Sequence, residues 1–232
     1  MVVRMSIFRK KTALGTEAFR THWKKIHAPI AMRIPGLQRY EQNVVVGRFA
    51  SNASSGQEKA MVIDGICKLL FPDPSAMQGV FSPEMKQQLM DDEAKFIEAL
   101  RTFVVDQEVV VSAAEKPLTK IVAFVTRGPG VGACDFTMRW KRDRATWAAT
   151  VPGLEGYTQN FVTSRTIERG EATYEQVPID CIDEIWVGDR SPHTMRDAID
   201  RLHARAGALE ASVYSFIVDV HVPTRVEVGV QP

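Results

Sequence analysis

Residues 19–43 read FRTHWKKIHAPIAMRIPGLQRYEQN, and residues 136–160 read FTMRWKRDRATWAATVPGLEGYTQN. Set 117 residues apart, the two stretches agree at 11 of 25 positions, among them Trp23/Trp140, Pro35/Pro152, Gly36/Gly153, Tyr40/Tyr157 and Gln42/Gln159. Average residue usage would give about one or two agreements. A weaker echo sets Ile63-Asp64-x-Ile66 against Ile182-Asp183-x-Ile185. A period of about 115 residues is too long for a solenoid. It reads as a duplicated domain, residues 1–114 and 115–232, with a linker near Ala113–Pro117.

Each copy has the same punctuation. Val2–Phe8 and Ile121–Thr126 are apolar and β-branched, which predicts strands. Phe19, Trp23, Ile26, Ile30 and Ile34 recur at helical spacing, and Phe136, Trp140, Trp147 and Val151 repeat that face. Pro35-Gly36 and Pro152-Gly153 end these helices. Strands are expected at Leu37–Val46 and Leu154–Val162, then at Ala60–Leu70 and Ile179–Val187. Helices follow over Asp73–Leu100 and Pro192–Ala206, and strands over Val104–Val111 and Val213–Val222 close each copy. The order β-α-β-β-α-β is the ferredoxin-like split motif. Consecutive apolar runs such as Val44–Val46 predict a sheet buried on both faces. Two ferredoxin-like repeats packed sheet to sheet would give an α+β barrel within one chain. The polar stretch Gly47–Lys59 and its charged counterpart Arg165–Gln176 differ between the copies, and either one could cover a pocket.

Composition narrows the function. Lys plus Arg total 29 and Asp plus Glu total 28, a net charge of +1, so there is no basic footprint for nucleic acid or an anionic membrane. No apolar run approaches the roughly 18–20 residues of a membrane span. The start MVVRMSIFRKK lacks the features of a signal peptide. Three cysteines, Cys67, Cys134 and Cys181, without C-x-x-C spacing fit a reducing compartment, and the cytoplasm is the expected location. Dinucleotide, Walker, nucleophile-elbow and zinc patterns are absent. No cofactor and no metal are expected.

In the first copy, Phe19-x3-Trp23-x3-His27, Pro35-Gly36-Leu37-x2-Tyr40-x-Gln42-Asn43, Asp64-Gly65 and Asp91-Asp92-Glu93-x2-Phe96-Ile97 stand together. This set resembles the EthD family, within the dimeric α+β barrel superfamily. The second copy fits through Phe136, Trp140, Pro152–Asn160 and Asp183, but has neither the histidine nor the Asp-Glu-x-x-Phe signature. The resemblance covers roughly residues 3–222. It implies acid–base chemistry on an apolar, carbonyl-bearing substrate between helices and sheet, with the helix-one histidine matching His27. It leaves the second copy as a degenerate scaffold.

The residues themselves give His27 first place. It lies four residues after Trp23, on the face that packs against the sheet, and a partly desolvated imidazole suits a general acid or base. The bland alternative is a buried histidine bonded to a carbonyl. Asp64 is the expected orienting carboxylate, with Asp183 paired to Arg144 in the second copy; both aspartates capping loops is the alternative. Asp92 and Glu93 read as a solvated helix face or as carboxylates at a pocket mouth. Tyr40 could polarise a carbonyl. Phe19, Trp23, Ile30 and Phe96 are expected to shape the pocket, and Arg144 to grip a substrate carboxylate if not paired to Asp183. His22 lies about 140° around an α-helix from His27, which separates the two.

Three functions follow. One is a cofactor-independent isomerase, lyase or cyclase acting on a small hydrophobic carbonyl, lactone or aromatic intermediate. Another is a binding protein for a hydrophobic metabolite. The third is a haem-binding accessory with His27 as axial ligand. Monomer, with the barrel complete in one chain, and homodimer are both compatible with the duplication.

Overall fold

The computed structural model describes residues 1–50, 62–78, 82–113, 119–188, 191–207 and 212–224. Most of the expected linker Ala113–Pro117, the 114/115 boundary and most of the loop Gly47–Lys59 lie outside them. In chain order come β1 (Val2–Lys10), α1 (Thr16–His22), a π-helical turn (Trp23–His27), α2 (Ala28–Ala31), β2 (Arg39–Ala50), β3 (Gly65–Phe71), α3 (Pro74–Gln78), α4 (Pro83–Phe96) and β4 (Ile97–Val111). Then follow β5 (Thr119–Thr126), α5 (Ala133–Ala148), β6 (Leu154–Ile167), β7 (Gly170–Glu171), β8 (Cys181–Val187), α6 (Pro192–Gly207) and β9 (Ser212–His221).

Eight strands run in the order β4-β1-β3-β2-β9-β5-β8-β6, and β6 pairs back onto β4. All the pairings are antiparallel. The result is an α+β fold around a closed barrel, with β7 as a short strand beside β6. The two halves join edge to edge along β2–β9 and β4–β6, and the inner faces of their strands meet inside the barrel that the sequence led us to expect. Edge pairing satisfies the backbone groups that an open sheet would leave unpaired, and closure removes those edges.

Alternation along each strand sorts the side chains. Val3, Met5 and Ile7 join Phe103, Val122, Phe124 and Phe216 in one apolar cluster inside the barrel. Arg4, Ser6 and Phe8 face outward, towards the helices. The interior also holds charge. Lys120 is ion-paired to Glu41 and lies 2.5 Å from Glu184, which is also paired to Lys68. Asn160 donates to Glu184 at 3.1 Å. Glu41 and Lys68 come from the first half of the chain, Lys120 and Glu184 from the second. Burial by itself would raise the pKa of Glu184, but the two lysines outweigh it and hold the carboxyl below its ordinary range.

The Pro-Gly stops behave as read. Gly36 (φ 70°) and Gly153 (φ 71°) both sit in the left-handed region that glycine enters without a Cβ clash. Several boundaries moved: β2 and β6 run on to Ala50 and Ile167, and the helix expected over Asp73–Leu100 is two, α3 and α4. The second helix of the first half ends at Phe96, and β4 starts at Ile97, well before the expected Val104. The third strand starts at Gly65 and not at Ala60. No helix among the described residues is long and apolar enough to cross a membrane.

Candidate active site

A cavity of about 400 Å³ lies between the outer face of the first-half sheet and the helices over it. Its volume is at the small end of ligand pockets. Phe8, Trp23 and Phe96 make its aromatic wall; Phe8 stands edge-on to Trp23, ring centroids 4.7 Å apart at 81°. β3 passes close beneath these rings because its first residue is Gly65. A Cβ there would fall 2.5 Å from Phe8 and 2.9 Å from Trp23. Gly65→Ala is therefore expected to displace both rings and cost about 1–3 kcal/mol, measured as a lowered midpoint in urea with unchanged slope.

The helix that carries His27 is not α-helical throughout. The Ala28 N–H bonds the Trp23 carbonyl, five residues back, and closes a π turn. Residues five apart then lie on one face, so His22 and His27 come together. His22 Nε2 and His27 Nδ1 each lie 3.0 Å from a different oxygen of Asp92. The expected separation of the two histidines assumed 3.6 residues per turn and does not hold here. The same inserted residue rotates the inward face to Trp23, His27, Ala31 and Ile34. Ile26 is turned out to solvent, and Ile30 packs against the Ala28–Leu37 cluster without entering the wall. Phe19 is also behind the wall, buttressing Trp23 and Phe96.

Asp92 is thus the partner of His27, and it is 2% exposed. Its signal in the sequence is a carboxylate within the apolar helix face Leu89-x2-Asp92-x3-Phe96. Asp64 is elsewhere. It accepts from the Lys10 N–H at 3.0 Å and from Arg48 at 3.2 Å. This corrects its expected role: Asp64 caps a strand end, as the alternative reading had it. Burial pulls the pKa of His27 below its ordinary value, more than its hydrogen bond to Asp92 and the charge of Glu93 raise it.

Tyr40 lines the cavity from β2. Its hydroxyl oxygen accepts from Trp23 Nε1 at 2.8 Å and from Gln42 Nε2 at 3.0 Å. Gln42 also bonds the Trp23 carbonyl at 2.9 Å, tying the strand to the start of the π turn. Burial raises the Tyr40 pKa well above its ordinary value, so the hydroxyl keeps its proton. With both lone pairs engaged, that proton is what Tyr40 offers.

In the second half, Arg144 and Trp147 are the counterparts, 117 residues on, of His27 and Ile30. The Arg144 guanidinium is stacked 3.9 Å over Trp140 and bonds the Leu202 carbonyl at 3.3 Å. At 1% exposure it is core, not part of the cavity wall, and the expected grip on substrate is corrected accordingly. Strand register also corrects the pairing of the aspartates. Gln42 faces Cys67 as Gln159 faces Asp183, so Asp183 corresponds to Cys67. Asp64 corresponds to Asp180, which caps the Arg127 N–H as Asp64 caps that of Lys10. Asp183 accepts from Trp140 and from Tyr157, both at 3.1 Å. Burial takes its carboxyl up to about 6, against the opposing charge of Arg144. Tyr157 has thus spent the proton that Tyr40 keeps.

The mouth of the cavity was only partly foreseen. Glu93 lines it and is paired to Arg169, which the second half contributes from the turn after β6. Glu168 and Arg169 hold that turn with positive φ, 45° and 73°. This is the charged segment Arg165–Gln176, and it does reach the pocket. Arg4, Ser6 and Lys86 also line the wall and carried no motif. Among the described residues, no cluster of His, Cys, Asp or Glu is placed to hold a metal ion.

The fold is shared with solved structures. An anthrone oxidase-like protein superposes with a TM-score of 0.60 at 10% identity, covering 95% of this chain and 92% of that one. A Fusobacterium nucleatum protein named "Putative monooxygenase" gives 0.58 at 10% identity, covering 95% and 93%. At such identities the likeness is one of fold. No curated protein matches the chain in sequence. Residues 11–99, which carry the π turn, Tyr40, Asp92 and most of the cavity wall, match the model of the EthD domain.

Proposed function

We propose that the first-half cavity is the active site of a cofactor-independent acid–base enzyme, an isomerase, lyase or cyclase acting on a small hydrophobic carbonyl compound. The observation that carries this reading is that His27, held by Asp92, and Tyr40 line one cavity with the rings of Phe8, Trp23 and Phe96. Asp92 accepts a hydrogen bond from the Nδ1–H of His27, which leaves Nε2 with a lone pair for the cavity. A carbon acid bound beside it gives its proton to Nε2. Tyr40 donates a hydrogen bond to the carbonyl oxygen as charge develops there. Return of the proton to another carbon, or departure of a leaving group, completes an isomerisation or an elimination.

The same reading makes the chain a fused pair of ferredoxin-like βαββαβ units whose second unit is scaffold. Arg144 and Trp147 replace His27 and Ile30 in its sequence, and Arg169 is its contribution to the first site. A barrel closed within one chain works as a monomer. The free thiols of Cys67, Cys134 and Cys181 suit the cytoplasm.

The test is a panel of lactones, phenolic aldehydes and β-keto aromatics, screened by thermal shift and then followed by NMR for conversion without added cofactor. A ligand at 100 times its dissociation constant stabilises by about 2.7 kcal/mol. Conversion of the stabilising compounds supports the enzyme. Tight binding without conversion supports a carrier and contradicts it. In the converting enzyme, Tyr40→Phe is expected to lower kcat by about 10²–10³ with a smaller change in KM.

A further inference from the structure

The acid–base reading leaves one charge in the cavity unused. Arg4 projects from β1 on the helix-facing side with Ser6 and Phe8, and all three line the wall. Among the described residues its guanidinium has no hydrogen bond or ion pair, whereas Arg169, the other arginine of the wall, is paired to Glu93. Its charge reaches inward: it opposes the rise that burial imposes on the Cys67 thiol. Lys86 adds a second cation at the exposed rim. An uncompensated guanidinium in a wall it shares with Phe8, Leu69 and Leu100 gains from an anion that presents two oxygens in its plane.

Register places this charge relative to the chemistry. Arg4 pairs with Leu69 on β3, and Leu69 pairs with Tyr40 on β2. The three residues form one row across the sheet, with Arg4 and Tyr40 two strands, about 10 Å, apart. An anionic group at Arg4 thus lies across the cavity from a carbonyl at Tyr40.

We propose that the substrate carries a carboxylate, held by Arg4 and attracted by Lys86, at the end opposite its reacting carbonyl. This rests on the cavity being the active site described above. A carboxylate fits better than a phosphate: there is one guanidinium fork, and the carboxylate of Glu93 in the same wall repels a dianion.

Isothermal titration with benzoate, phenylacetate and 2-naphthoate, each beside its methyl ester, tests this on the intact chain. The acid that fits best is expected to bind wild type at least tenfold more tightly than its ester. Arg4→Met should remove the difference, Arg4→Lys should restore part of it, and His27→Asn should keep it. Equal binding of acid and ester by wild type, or no binding of any of the acids, overturns the proposal whether or not the variants fold. Tighter binding of 2-naphthyl phosphate than of 2-naphthoate overturns the choice of carboxylate. Loss of turnover in His27→Asn without any acid preference overturns this site and leaves the His27 mechanism standing. An Arg4-dependent acid preference without turnover of any compound does the reverse.

Discussion

His27→Asn is expected to slow proton abstraction by about 10²–10⁴-fold while the protein stays folded. The asparagine amide can still donate to Asp92, so the buried carboxylate keeps a partner; only the lone pair at Nε2 is lost. The pH profile identifies the group. Burial lowers the pKa of His27, so the base form prevails at neutral pH. The rate should rise with pH through a value below the ordinary 6.5 and then level off. Stability has the same sense. The unfolded chain binds the proton more readily, so stability rises with pH across this window and is lost as pH falls below about 6.5. Asp92→Asn removes an interaction that raises the pKa. The acid limb should then move to lower pH and the plateau should fall. A rate that ignores pH between 5 and 8 would assign the chemistry to another group.

Lys120→Met should be the most damaging single change to stability, about 3–5 kcal/mol, or a fall in Tm of roughly 10 °C for a chain this size. Lys120 is fully buried and neutralises Glu41 and Glu184 together. Its removal leaves Glu41 with Arg39, 3.5 Å away and half-exposed, and Glu184 with Lys68. The deficit is expected to shrink as pH drops towards 4, where the stranded carboxyls take up protons. Wild type has the opposite sense. The folded-state pKa of Glu184 is depressed, so its contribution is present above the unfolded value and is lost as pH falls through the folded one. Thermal unfolding of both proteins across that range checks the sign. Replacing all four charges with apolar residues of similar volume should recover most of the loss. The network then acts in pairing: it joins opposite charges from the two halves, and mispaired halves would bury like charges together.

Much of the fold was legible because residues 19–43 and 136–160 carry the same pattern. Trp23/Trp140, Pro35-Gly36/Pro152-Gly153 and Tyr40/Tyr157 located matching helices, turns and strands. Edge-to-edge closure was not legible, since alternation within a strand says which face is buried but not which edge it meets. In the site, His27, Tyr40, Trp23 and Phe96 were found by facing and by residue type. Ile30 was misplaced because the π turn adds a residue that no 3.6-residue count anticipates. The same turn joined His22 to His27. Asp64 was chosen over Asp92 because a carboxylate between apolar residues of a predicted strand looked more buried than one in the run Asp91-Asp92-Glu93. The face shared with Leu89 and Phe96 was the better guide. Arg144 failed because an arginine stacked on Trp140 can serve as core. Arg169 reaches the first site from the other half of the chain, a contact no local pattern encodes.

The most direct test of the central claim is proton exchange itself. Wild-type protein is incubated in D2O with carbonyl compounds that stabilise it, and loss of the proton signal on the carbon next to the carbonyl is followed by NMR. Exchange is expected well above the buffer rate, needing no cofactor and falling to near the buffer rate in His27→Asn. Exchange at the buffer rate in wild type, with the compound demonstrably bound, would contradict it.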